Sequence, residues 1–354
     1  MFQQRLRVGI TLAATVMMGT LAAGAARADK TPAVDNVKGD LSVMVLGSSG
    51  PMAQPSGRAS AGYLIFTDGK PRVLMDLGGG TFQRIAQSGA NIGAVQDILL
   101  SHLHIDHASE LPAVVKTIYF HSRFQNVYRT APINIYGPDT NGYKIPNTDV
   151  NMFPSTSQLV NDFFGVPNGA FRYLHAFTKA GLGVLKVPAH DLSPTFNGAT
   201  VNTIVSTSDG LVIKEIAVDH SEAPAVAYRI EYKGHSVVYS GDTHSTTDNM
   251  VKLAKNADLL IYDTSIMPNA PPPQSPFAKR HTVPSRIGQV ATEANAKELV
   301  LSHFTPVTLP NITTIKQMIR SQGYTGKIDP AQDLEVYNVG YEDDQGQDQD
   351  HDEQ

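Results

Sequence analysis

His102-Leu103-His104-Ile105-Asp106-His107 places three imidazoles and a carboxylate within six residues of a 354-residue chain. The run follows Asp97-Ile98-Leu99-Leu100, an apolar stretch read as a short buried strand, so the cluster sits on the loop where that strand ends. A single histidine is ordinarily a solvated or hydrogen-bonded side chain. Three of them behind a buried strand form a metal-binding arrangement, because neutral imidazoles and ionised carboxylates are what divalent ions take as ligands. His102 and His104 lie two residues apart, so an extended loop points both the same way. Asp106 and His107 come after the chain turns into a helix and face a different place. Local geometry therefore favours two ions over one.

Composition narrows the chemistry. The chain has no cysteine, which excludes disulfides, thiolate metal sites and a cysteine nucleophile. A metal must be held by His and Asp, and zinc is expected, with manganese or iron as alternatives. The net charge is -5 and Lys and Arg are scattered, so no nucleic-acid partner is expected.

The N-terminus reads as an export leader over residues 1–28. Arg5 and Arg7 supply positive charge, Val8 to Gly24 is apolar, and Ala26-Arg27-Ala28 fits cleavage after Ala28. A periplasmic or secreted protein with no stable membrane anchor is expected. Residues 29–40 read as a linker and 41–338 as the functional domain. Within it 139–200 is a poorly patterned, family-specific insertion that walls a pocket. Residues 339–354 read as an acidic disordered tail, because Glu342 to Gln354 has almost no apolar group.

Along the domain, Leu41–Leu46, a hairpin of 62–66 and 72–77 turned at Asp68-Gly69, and 97–100 read as strands. So do 133–136, 211–218, 225–232, 235–240, 258–262 and 298–301. Helices are expected at 82–90, 109–120, 156–164 and 251–256, and after Thr282 as N-cap with Pro284 early in the helix. Strands and helices alternate, which gives an α/β sandwich with a site on one sheet edge. Further ligands are sought among polar residues at the ends of apolar strands. His220 follows Ile216-Ala217-Val218-Asp219, Asp242 follows Val237-Val238-Tyr239, and His303 follows Leu299-Val300-Leu301-Ser302.

This set of residues resembles the metallo-β-lactamase superfamily, and its order and spacing resemble the ribonuclease Z and arylsulfatase-like branch. Leu46-Gly47-Ser48-Ser49, Asp76-Leu77-Gly78-Gly79-Gly80-Thr81 and Ile135-Tyr136-Gly137-Pro138 support it, over about residues 41–338. The resemblance implies an αββα sandwich and two divalent ions. It implies that His102, His104 and His220 hold one ion, Asp106, His107 and His303 the other, and that Asp242 bridges them. It also implies that His281, in Lys279-Arg280-His281-Thr282, protonates the leaving oxygen. Asp106 is expected to orient the attacking water.

Two divalent ions less two carboxylates and a hydroxide leave a positive site, which favours a small anionic ester. Aryl sulfate is the first expectation, attacked by a metal-bridging hydroxide. A phosphodiester such as a cyclic nucleotide comes next, then a lactone or β-lactam, and last a non-catalytic metal-binding protein. A homo-oligomer is compatible with all of these.

Overall fold

The computed structural model describes residues 31–124, 129–177, 185–268 and 277–341. The leader expected over 1–28, and the expected tail from residue 342 on, lie outside the described residues. All elements below fall in one unit that begins at Pro32.

One sheet holds β1 (Leu41–Gly47), β2 (Gly62–Thr67), β3 (Lys70–Leu77), β4 (Asp97–Leu99), β5 (Asn134–Pro138) and β6 (Ala189–Leu192). The other holds β7 (Asn202–Ser206), β8 (Val212–His220), β9 (Ala223–Tyr232), β10 (His235–Tyr239), β11 (Leu259–Asp263), β12 (Glu298–Ser302) and β13 (Lys327–Pro330). A last strand, β14 (Val336–Val339), returns to the first sheet beside β1, so the order there is β14-β1-β2-β3-β4-β5-β6. The second sheet runs β13 to β7 in reverse chain order.

The period of two along β1 explains the layering. Leu41, Val43 and Val45 face Tyr228, Ile230 and Val237 of the other sheet, while Met44 and Leu46 face helices. The helices are α1 (Thr81–Ser88), α2 (Ile105–Ala108), α3 (Leu111–Phe124), α4 (Thr156–Phe164), α5 (Asn249–Leu253), α6 (Pro284–Glu293) and α7 (Ile312–Arg320). Ile85, Val114 and Val160 cover the outside of the first sheet, and Leu253, Ile287 and Ile315 that of the second. The result is the αββα sandwich expected.

The β2–β3 hairpin turns at Asp68-Gly69, both at positive φ (49° and 71°), the handedness that matches strand twist. From β3 to β6 the first sheet is parallel, and from β10 to β13 so is the second. Loops leaving the C-terminal ends of such strands gather at one rim, where sites form.

The structure corrects several boundaries. Residues 33–36, expected in a linker, form a 3-10 turn, and Ala33, Val34 and Val37 pack on the first sheet's helical layer. Val339, expected in the tail, ends β14. Within 139–200, α4 is capped by Ser155 and β6 pairs in parallel with β5, so the segment completes the sheet. Val283, not Thr282, is the N-cap of α6. The Thr282 hydroxyl instead donates to the Thr243 carbonyl at 2.6 Å.

Candidate metal centre

His102 and His104 leave the end of β4, and Asp106 and His107 lie on the single turn of α2. His220 closes β8, Asp242 follows β10, and His303 follows β12. All seven meet at the same rim. His303 sits at φ 59° and Gly241 at φ 55°, so the loops bend sharply where they reach the site.

The inward atoms fall into two sets. His104 Nδ1 is 2.9 Å from His102 Nε2 and 3.3 Å from His220 Nε2, and Asp242 Oδ2 is 3.8 Å from both Nε2 atoms. In the other, His107 Nε2 and His303 Nε2 are 3.0 Å apart. Asp106 Oδ2 is 3.4 and 3.2 Å from them, and Asp242 Oδ1 is 3.4 and 3.3 Å away. A tetrahedron with metal–nitrogen bonds of about 2.1 Å has edges of about 3.4 Å, so both sets have the size of a four-ligand site. Asp242 offers one oxygen to each.

Hydrogen bonds behind the rings turn lone pairs inward. His107 Nδ1 donates to Asp76 Oδ2 at 2.7 Å, and His220 Nδ1 to the Arg280 carbonyl at 2.7 Å. Ser265 donates to Asp263, so its oxygen accepts from His303 Nδ1 at 2.6 Å. Ser101 likewise donates to Asp76 and accepts from His102 Nδ1 at 3.1 Å. Each such ring then turns its Nε2 to the cluster, the orientation ligating histidines need. Asp242 Oδ1 is buried without a hydrogen-bond partner. Converging imidazole nitrogens and an orphaned carboxylate oxygen are costly in a buried site unless cations, protons or metal, lie between them. The donor set fits a divalent metal.

Electrostatics agree. Burial pushes the His102 and His104 imidazoles down, and His220 to about 3, so all three are neutral at pH 7. Burial also disfavours charge on His107 and His303, but Asp242, Asp106 and a further carboxylate behind each ring outweigh it. His107 is raised well above its ordinary value and His303 is pushed up to about 10. Burial opposes ionisation of Asp106 and Asp242, yet the adjacent histidines hold both carboxyls well below the usual range. Without metal, protons on two histidines balance the carboxylates.

His281 is buried, not on an exposed loop. Its Nδ1 donates to Asp263 Oδ2 at 2.7 Å and lies 3.9 Å from Asp242 Oδ2. A third close set joins Asp242, Asp263, His281 and His303. Asp263 is already the acceptor for Ser265 and His281, so it orients two rings rather than serving as a ligand.

Asp76 and Asp263 are functional residues that the sequence reading missed. Asp76 takes bonds from His107, the Ser101 amide and hydroxyl, and Tyr239, each at 2.7 Å. The signal was available, since each carboxylate stands at or next to the end of an apolar strand, the rule that found Asp242.

A cavity of about 250 Å³ opens over the ligands, lined by His104, Asp106, His220, Asp242, Arg280 and His281 together with Pro51, Ile105 and Phe277. A larger hollow of about 830 Å³ lies against α4, lined by Val160, Phe164 and Val187, and holds none of the clustered ligands.

Residues 71–304 match the β-lactamase superfamily domain. The chain belongs to the metallo-β-lactamase superfamily. Among its curated relatives are ribonucleases Z. It is 26% identical over 307 residues to the ribonuclease Z of Mycobacterium bovis BCG, across 84% of this chain and 98% of that protein. It is 25% identical over 277 residues to the ribonuclease Z of Archaeoglobus fulgidus, across 74% and 86%. The crystal structure of the human short-form tRNase Z superposes with a TM-score of 0.61 at 22% identity, covering 85% of this chain and 100% of that one.

Fold and donor set make this superfamily member a metallo-hydrolase with a divalent-metal site. Two expectations are corrected. Relatives that are ribonucleases overturn aryl sulfate as substrate and the exclusion of a nucleic-acid partner. Scattered Lys and Arg misled that reading, because a metal centre supplies its own positive charge for a phosphate.

Proposed function

We propose that the chain is a two-metal phosphodiesterase that cleaves RNA. One observation carries the reading: two four-residue ligand sets share Asp242, with His281 and Asp263 beside them. The ribonuclease names of its relatives supply the substrate class. His102, His104 and His220 would hold one ion, Asp106, His107 and His303 the other, and Asp242 both. Nitrogen-rich four-residue sets favour zinc.

Two ions so held would supply Lewis acidity for a phosphoryl oxygen and would lower the pKa of water there. The residues do the rest. Asp106, ionised and lining the cavity, orients the attacking water. Arg280, its guanidinium held by Glu222 at 3.0 Å, lines the same cavity and adds positive charge beside a phosphate bound there. The bond from His281 Nδ1 to Asp263 leaves Nε2 for the leaving oxygen, which it protonates while Asp263 steadies the imidazolium.

The test is cleavage of a short RNA by metal-loaded protein, beside the chelated protein and the Asp242→Ala variant. Cleavage by the loaded protein alone supports the reading, and intact RNA with a full metal complement overturns it. We also propose that residues 1–28 direct export, so that the RNA met is outside the cytoplasm. N-terminal sequencing of the fractionated protein tests this, and a chain still starting at Met1 in the cytoplasm refutes it.

A further inference from the structure

Beside the cavity over the ligands lies a second one of about 300 Å³, lined by Met52, Ile266, Met267 and Val307 and sharing Pro51 and Phe277 with the first. The two are adjoining compartments. Phe277 stands at their boundary with its ring 4.6 Å from that of His281. Three connections converge there, the loops after β1 and β12 and the two ends of the one that joins β11 to α6. The cavity's hydroxyls are spent. Ser265 Oγ donates to Asp263 and meets His303 Nδ1, and Thr305 Oγ1 donates to the Ser265 carbonyl at 3.1 Å. Among the described lining residues, no hydroxyl is left to read a polar ligand by hydrogen bonds. What remains is a phenyl ring and two thioethers, soft faces that suit a flat π-system. Met52 and Val307 form its mouth, at 50% and 46% exposure.

We propose that this compartment is a subsite for an aromatic ring carried by the substrate. Resting on the phosphodiesterase reading, this assigns it to a nucleobase held by shape and stacking, without base identity. An ester at the metal centre, with its leaving oxygen at His281, is one wall away from the compartment. The flanking base then enters past Phe277, and the enzyme discriminates by the presence of a ring rather than by its edge pattern.

The experiment uses metal-loaded protein and calorimetric binding of phenylphosphonate and methylphosphonate. These share the phosphoryl group and differ in the ring. Phenylphosphonate is expected to bind at least tenfold tighter. In Met52→Asp and Val307→Asp, changes at exposed positions that leave the core intact, that preference is expected to collapse while methylphosphonate affinity holds. Equal affinities in the unmodified protein overturn the subsite alone, as does a phenyl preference that survives both substitutions. A hexylphosphonate that binds as tightly as phenyl overturns the assignment to a ring. If neither small phosphonate binds, the phosphoryl reading of the metal centre fails and the subsite with it.

Discussion

Asp76 shows how much of the centre depends on residues that touch no ligand position. It accepts four hydrogen bonds, one of which fixes His107, and it does so from the left-handed conformation at φ 53°. Asp76→Asn removes the charge that sets the His107 tautomer. Metal affinity is expected to fall about 10- to 100-fold, measured by competition with a chelator, with little change in fold. Asp263→Asn acts elsewhere, through His281. It is expected to cost about 10²- to 10⁴-fold in kcat on RNA. A p-nitrophenyl phosphodiester, whose leaving group needs no proton, should lose far less, and equal losses on both substrates would refute the acid role. The pH response follows from His303. Its imidazole sits near 10 in the metal-free fold, against about 6.5 when unfolded. The stability this adds is complete below pH 6.5 and is lost as pH rises toward 10. Metal must displace that proton, so its binding strengthens over the same window. The rise in Tm on adding metal should therefore be larger at about pH 8.5 than at about pH 6.5. A shift that shrinks with pH would contradict the proton balance. Asp76 and Asp263 escaped the sequence reading because a lone Asp before a turn is ordinary. Only the fold shows which histidine it faces.

At the scale of elements, the site is a product of where strands stop. The end of β10 needs Gly241, whose φ is 55° and whose missing Cβ would lie 2.6 Å from Ser101 Cβ. An alanine there meets both the left-handed penalty, about 1–2 kcal/mol, and a clash between the two ligand-bearing loops. Gly241→Ala is expected to lower Tm by several degrees and to weaken metal binding as Asp242 shifts. A variant with unchanged Tm and metal content would refute the packing argument. The central strands were legible because they are apolar and bounded by turns. Unread were β6, β7, β13 and β14: short edge or near-edge strands with mixed burial, whose pattern is diluted by polar positions such as Asp191 and Asn338. The α7 stripe of Ile312, Ile315 and Ile319 has helical spacing and is legible in the sequence. In 139–200 the α4 span was visible, but the pairing of β6 with β5 is a long-range fact that no local pattern carries.

At the scale of the molecule, two sheets bring His107 and His303 to 3.0 Å of each other, and each sheet contributes ligands to both sets. The ligand residues were legible as types at strand ends. The substrate was not, because the metal centre presents the same charge to sulfate, phosphate and ring carbonyls. The central claim is that both sets must be filled for phosphodiester cleavage. It is tested most directly by following RNA cleavage while zinc is returned, one equivalent at a time, to the metal-free protein. The account predicts little cleavage through the first equivalent, a steep rise to a plateau at about two, and loss on chelation. Full activity at one equivalent, or no cleavage of RNA at two, would contradict it.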